Sequence, residues 1–222
     1  MHETEPDRWD PWSPVEVAGW LNHTRVAWAV AGGWALELFA GETWRSHEDL
    51  EIVIDRDTFE TVRDALPPLE WFVAGDGKLC PLEHAGATIE QRWQTWGRDP
   101  DTRCWRIDLM RQHWPSGEWT YRREPAIRRS LAEAIATTQD SIPYLAPEIV
   151  LLFKAKHCRA KDEEDFTHVL PRLNDDQRGW LADTLKQEQP AHPWLPALRS
   201  TQTLSTPRYQ SRFAHKTSNI KS

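Results

Sequence analysis

Three cysteines in 222 residues (Cys80, Cys104 and Cys158) are too few and too irregularly spaced for a disulfide framework. Reduced thiols in a cytoplasmic protein are the expectation. No apolar run approaches the ~20 residues that cross a bilayer. The opening residues, Met1-His2-Glu3-Thr4-Glu5-Pro6-Asp7, are acidic and lead into no apolar stretch, so no secretory signal is expected. Basic residues are in deficit, 27 Lys and Arg against 34 Asp and Glu. The resulting charge of −7, without a basic stripe, disfavours a large nucleic-acid footprint. An acidic balance suits a cationic small-molecule partner by electrostatic steering, although solubility alone also accounts for it. No four-ligand zinc set is present: Cys80 and His84 stand near each other, and His157-Cys158 lie far along the chain. There is no internal repeat. Tryptophan, by contrast, occurs 14 times. Trp28, Trp105 and Trp180 sit at core-like positions, and others are suited to a pocket where flat rings pack on sugars or bases.

Local signals divide the chain. Ser13-Pro14-Val15-Glu16 is a capping box that opens a helix to about His23. Val26–Ala31 is a strand apolar on both faces, hence central. Gly32-Gly33 turns the chain into a short helix, Trp34–Ala40, stopped by Gly41. Leu50–Ile54 is a second strand. Asp57 with Glu60 starts a helix that Pro67-Pro68 ends. Glu70–Ala74 is a strand before the turn Gly75-Asp76-Gly77. Ile89–Trp96 and Arg103–Met110 form a hairpin around Asp99-Pro100-Asp101. From Pro147 onward the pattern is helical, with helices over Glu148–Arg159, Asp162–Leu170, Asp176–Lys186 and Trp194–Arg199. Residues 200–222 are polar and basic with few apolar side chains, and are expected to lack fixed structure.

The chemistry-bearing stretch is Val30 to Arg56, V-A-G-G-W-A-L-E-L-F-A-G-E-T-W-R-S-H-E-D-L-E-I-V-I-D-R. Asp49 and Glu51 are two apart on an extended segment, so both project to one face. Oxygen clusters of that kind hold hard divalent cations. The Gly pair leaves backbone N–H groups open to an anion at a helix start. Asp108 lies between Ile107 and Leu109 on another apolar strand, where a carboxylate is costly unless paired or metal-bound. If the strands are neighbours, Asp49, Glu51 and Asp108 converge. Alone, Asp49 and Glu51 also fit the solvated face of an edge strand.

Gly32 to Ile54 resembles the nucleotidyltransferase superfamily that includes DNA polymerase beta, and within it the aminoglycoside and lincosamide nucleotidyltransferase branch. The residues that carry the resemblance are Gly32, Gly33, Trp34, Ala35, Gly41, Arg45, His47, Asp49 and Glu51, and more loosely Asp108. It implies an α/β (α+β) fold, a short mixed sheet flanked by helices and followed by a small helical subdomain, with residues 1–146 catalytic and 147–199 helical. It further implies Mg²⁺, two ions, on Asp49, Glu51 and Asp108, with Asp108 also the general base. The nucleoside triphosphate, ATP or another NTP, would set its phosphates on the Gly32 and Gly33 amides, with Arg45 and His47 on phosphate oxygens. Arg45 otherwise reads as a surface ion pair with Glu42 or Glu48, and His47 as a loop-ordering residue. Related proteins have a helix with a Lys followed by a Lys/Arg-Asp-x-x-Asp run. Here that run is Lys161-Asp162-Glu163-Glu164-Asp165, and the corresponding Lys154 would reach the triphosphate, or would snorkel from the helix flank. Asp162 reads as the N-cap of the next helix. Glu51 departs from the pattern, standing where many relatives carry Asp.

The reading that follows is transfer of AMP or another nucleoside monophosphate to a hydroxyl of a small, antibiotic-like and cationic acceptor. A toxin-type enzyme that modifies tRNA or a protein, and a non-catalytic nucleotide-binding homologue, stand as alternatives.

Overall fold

The computed structural model describes residues 8–86 and 88–200; the expected tail, beyond Ser200, lies outside the described residues. The elements are α1 (Pro14–Leu21), β1 (Trp28–Val30), α2 (Gly32–Ala40), β2 (Glu51–Asp55), α3 (Phe59–Ala65), β3 (Glu70–Gly75), β4 (Lys78–Pro81), α4 (Leu82–Ala85), α5 (Thr88–Gln91), β5 (Gln94–Arg98) and β6 (Trp105–Gln112). They continue with β7 (Glu118–Thr120), β8 (Arg128–Ser130), α6 (Leu131–Ala134), β9 (Ile135–Thr137), β10 (Pro143–Leu145), α7 (Pro147–Lys154), α8 (Ala160–Val169), α9 (Asp175–Glu188) and α10 (Leu195–Arg199).

Eight strands form one mixed sheet in the order β4-β3-β5-β6-β2-β1-β10-β9, and β7 pairs with β8 apart from it. β2 runs parallel to β6 and antiparallel to β1, so it is central. Burial of Ile52, Val53 and Ile54 follows, since both faces of a central strand are covered. A single cluster of buried side chains joins the sheet to the later helices, from Val17 through Ile52 and Leu109 to Leu151 and Leu181. Trp28 and Trp105 lie in the core, while Trp180 is half-buried. No helix among the described residues is long and apolar enough to cross a membrane.

Local chemistry sets several boundaries. Ser13 accepts from Glu16 N and the Glu16 carboxylate reaches back, a complete capping box with Pro14 in the first turn. Asn174 and Gln177 do the same for α9. Gly41 ends α2 at φ 70°.

Other boundaries differ from expectation. Gly32 and Gly33 are the first residues of α2 rather than a turn before it. The chain leaves β2 through a 3₁₀ turn, Arg56–Thr58, opened by Asp55, whose side chain accepts from Asp57 N, and α3 follows it; Asp57 caps neither. Ile89 belongs to α5, a short helix, so the hairpin arm begins only at Gln94. The long helix over Glu148–Arg159 stops at Lys154, because the chain reverses through Cys158 at φ 44°. α8 then begins at Ala160, and Asp162 is not its cap but sits inside its first turn, accepting from Arg159 N at 3.0 Å. The segment 118–145, to which the sequence reading assigned no element, supplies β10, paired parallel to β1, and the sheet's edge β9.

Candidate functional site

The register of the parallel pair β2 and β6 places Glu51 opposite Asp108. In-register side chains on parallel neighbours point to the same face, about 4.8 Å apart at the backbone. Asp49 lies just before β2, yet its carboxylate reaches the same point. Asp49, Glu51 and Asp108 each offer an oxygen within 4.8 Å of the others. The start of β2 is pinned from both sides: Ala31 N donates to Glu51 O at 2.8 Å, and Asp108 N to Leu50 O at 2.8 Å.

Three converging carboxylates repel one another unless protons or a cation intervene. Burial, with the charge of Asp49 added, pushes the Glu51 carboxyl up to about 7, while Lys154 and Arg159 pull it down. Burial and the charges of Glu51 and Asp49 raise Asp108 well above the usual carboxylate range. Asp108 is 2% exposed; Gln94 Nε2 donates to its Oδ2 at 2.8 Å, whereas Oδ1 is buried with no hydrogen-bond partner. An all-oxygen set with an unmet buried acceptor fits a hard divalent cation such as Mg²⁺.

Gly32 adopts φ +60°, and a Cβ there would stand 1.8 Å from Glu51 Oε2. A Cβ on Gly33 would stand 2.0 Å from Arg45 Nη2 and 2.7 Å from His47 Cε1. Only bare backbone lets the start of α2 approach these side chains so closely.

Around this backbone the sequence-expected cations gather, with partners that local reading did not supply. Arg45 pairs with Asp165, through Nε at 2.9 Å and Nη2 at 3.0 Å, rather than with Glu42 or Glu48. Asp165 also accepts from Trp44 Nε1 at 2.9 Å and lies 2.9 Å from Lys154 Nζ. Burial alone would raise Asp165, but Arg45 and Lys154 hold it below its ordinary value. Lys154 is 8% exposed and also pairs with Asp162 at 3.2 Å, so it is held in the interior rather than snorkelling out. His47 stacks on Trp34 with ring centres 4.4 Å apart, and its Nε2 lies 3.0 Å from Glu37 Oε2. Burial, aided by the Arg45 charge, lowers the imidazole pKa against the pull of Glu37. Glu37 is the organiser of the loop: its other oxygen accepts from Trp44 N at 3.0 Å and Arg45 N at 3.2 Å.

A polar cavity of about 310 Å³ brings together Gly33, Arg45, His47, Asp49, Glu51 and Lys154. Gly32 lines a second cavity of about 260 Å³ on the other side of Glu51. All eight residues singled out from the sequence therefore meet in one region. Sequence reading named Asp165 only as the last residue of the Lys161-Asp162-Glu163-Glu164-Asp165 run, and missed Glu37, Gln94 and the pair Arg122-Arg123; among these three the adjacent arginines were the visible signal. A larger open groove, about 1150 Å³ and walled by Trp71, Phe72 and Arg98, holds none of the eight.

The fold, a mixed sheet flanked by helices, matches that of nucleotidyltransferase-like structures. Residues 15–95 match the family model described as Aminoglycoside-2''-adenylyltransferase. Among solved structures the chain is similar to ANT(2")-Ia in complex with adenylyl-2"-tobramycin, with 12% identity, a TM-score of 0.50, and 79% of this chain and 94% of that one covered. It is also similar to the lincomycin-bound lincosamide antibiotic adenylyltransferase LnuA, at 17% identity and a TM-score of 0.49, covering 70% of this chain and 92% of that one. A third is an antigenic nucleotidyltransferase-like protein from Paracoccidioides brasiliensis, at 17% identity and a TM-score of 0.44, covering 83% and 89%. At these identities the first of the three supports the fold alone. A comparison with curated proteins yields no match.

Proposed function

We propose that this protein transfers a nucleoside monophosphate, AMP in the first instance, from a nucleoside triphosphate to a hydroxyl of a small antibiotic-like molecule. The observation that carries the proposal is the meeting of Asp49, Glu51 and Asp108 within 4.8 Å, beside a cavity lined by Gly33, Arg45 and Lys154. The family match over residues 15–95 favours this reading over the toxin-type and non-catalytic ones. Antibiotic resistance is the corresponding biological role, and a cytoplasmic setting belongs to the same proposal.

The triphosphate lies along the Gly32-Gly33 backbone, where open N–H groups and the helix start favour negative charge. Lys154 and Arg45, oriented by Asp162 and Asp165, supply positive charge to the phosphate side of the cavity. Asp49, Glu51 and Asp108 would hold Mg²⁺, two ions in this reading, which neutralises phosphate oxygens and lowers the cost of an attacking alkoxide. Asp108 accepts the hydroxyl proton, and Gln94 fixes that carboxylate's orientation. The acceptor oxygen bonds to the α-phosphorus as the bond to the bridging oxygen breaks, and pyrophosphate leaves with that electron pair. Residues 147–199, in the same proposal, act as a helical subdomain that delivers Lys154 and its acidic partners.

Incubating the protein with each of four α-labelled triphosphates, Mg²⁺, a panel of aminoglycosides, lincosamides, sugar phosphates and uronic acids, and tRNA tests the proposal. Label on a small molecule is the expected result. Label on tRNA alone, or on nothing, overturns it.

A further inference from the structure

Two cavities meet at the carboxylate cluster and share Ala31, Glu51, Lys154 and Arg159 as a common wall. If the triphosphate occupies the Gly33 side, the acceptor hydroxyl belongs in the other cavity, of about 260 Å³. Gln94, which holds Asp108, lines that second cavity, and Glu51, with an oxygen within 4.8 Å of one of Asp108, forms its shared wall, so the cavity adjoins the base.

The charge of this second cavity is the reverse of the whole molecule's. Glu51 is the one carboxylate among its described lining residues, against Arg122, Arg123, Lys154 and Arg159. Lys154 and Arg159 are already engaged by acids of α8. Arg122 and Arg123 stand in no ion pair among the described residues. The Arg122 guanidinium sits over Trp93, 3.2 Å from the ring centre. Arg123 donates to Tyr121 Oη at 3.1 Å and to Phe153 O at 3.3 Å, with its guanidinium 5.4 Å from the Phe153 ring.

Both platforms are fixed from behind. Phe153 belongs to α7, next to Lys154. Trp93 is held by Arg111, whose backbone N donates to Trp93 O at 2.6 Å. The buried Arg111 guanidinium donates to Ile89 O at 3.1 Å and to Arg92 O at 2.8 Å. Burial of part of the side chain and the adjacent Arg123 charge lower Arg122 from its ordinary value, although the residue as a whole is exposed. Guanidinium groups with free donors and no carboxylate match planar or tetrahedral oxyanions.

We propose that the acceptor carries a phosphate or carboxylate group, clamped by Arg122 and Arg123 while its hydroxyl faces Asp108. This rests on the nucleotidyl-transfer reading above and narrows it. A polycationic aminoglycoside would set ammonium groups against two uncompensated guanidiniums, a like-charge contact that selects against it.

The test uses the full chain saturated with Mg²⁺ and the non-hydrolysable analogue α,β-methylene ATP. Calorimetry then titrates four probes: glucose 6-phosphate, glucuronate, neutral glucose and tobramycin. At least one anionic probe should bind tenfold or more tighter than glucose and tobramycin, and the two anionic arms separate phosphate from carboxylate recognition. The double variant Arg122→Gln/Arg123→Gln should lose that preference while its Kd for the ATP analogue stays within twofold. Arg122→Lys/Arg123→Lys, which keeps the charge, should restore part of the preference. Equal binding of anionic and neutral probes, tighter binding of tobramycin, or a Gln variant that weakens only the ATP analogue overturns the inference. If wild-type protein fails to bind the ATP analogue, the functional reading itself fails and the inference falls with it; binding of the analogue without anion preference removes the inference alone.

Discussion

Gly32→Ala is the sharpest perturbation that the structure offers, because two costs fall on one atom and a second glycine separates them. Gly32 holds φ +60°, where a side chain costs roughly 1–2 kcal/mol. The new Cβ would also lie 1.8 Å from Glu51 Oε2. An ordinary carbon–oxygen contact needs well over 3 Å, so the carboxylate must retreat by roughly 1.5 Å. Misplacement on that scale costs about 100-fold in turnover. Gly41 is the internal control: its φ is +70°, yet nothing lies within 4 Å of a Cβ built there. Gly41→Ala should therefore lose about 1–2 kcal/mol, or roughly 2–8 °C in Tm for a chain of this size, and Gly32→Ala at least as much. Only Gly32→Ala should also weaken Mn²⁺ binding, followed by electron paramagnetic resonance, and depress nucleotidyl transfer. Equal Mn²⁺ affinity in the two variants would refute the argument that Gly32 exists to make room for Glu51.

Asp49→Asn should abolish transfer and cut Mn²⁺ affinity while circular dichroism shows an unchanged fold; a variant that still turns over normally would remove Asp49 from the cation site. Asp108→Asn should lower turnover and leave nucleotide binding largely intact, as read by calorimetry with α,β-methylene ATP; a lost nucleotide Kd with unchanged turnover contradicts the assignment of Asp108 as base. Lys154→Met leaves Asp162 and Asp165 with only Arg159, Arg45 and Trp44 as donors, so it should cost about 3 kcal/mol, the lower end for a broken buried pair, and roughly 6–12 °C in Tm. A loss below about 1 kcal/mol would show that the remaining donors suffice. Burial alone would raise the Asp162 carboxyl, but Arg159 and Lys154 outweigh it and hold the group at about 2. A depressed folded-state pKa gives stability that is full above the unfolded value near 4 and is lost as pH falls toward 2. Denaturant titrations from pH 5 to pH 2 should thus show a decline that is shallower in Asp162→Asn; parallel curves would refute it.

The acidic balance of the chain points to a cationic acceptor, whereas the cavity beside Asp108 presents arginines. Net charge sums over a surface whose exposed charges are screened within about 8–10 Å, so it governs solubility and long-range steering. Recognition in a partly desolvated cavity follows the few charges on its walls, here Arg122 and Arg123 against Glu51.

What the sequence settled by itself was local. The Ser13 cap, the Gly41 stop, the apolar run of β2 and the spacing of Gly32, Gly33, Arg45, His47, Asp49 and Glu51 all act within a few residues, through φ preferences, hydrogen bonds and side-chain alternation. Only tertiary structure decided which distant groups would meet. The register that sets Asp108 against Glu51 depends on pairing two strands far apart in the chain. Arg45 takes Asp165, 120 positions away, over its acidic neighbours. Lys154 is buried because α8 folds back to supply two carboxylates, and Arg122 and Arg123 lie at the cavity against platforms supplied by Trp93, just before β5, and by Phe153 of α7. Contacts of that kind have no signature in spacing, since their energy appears only once the chain has closed and water has been excluded from the groups that face one another.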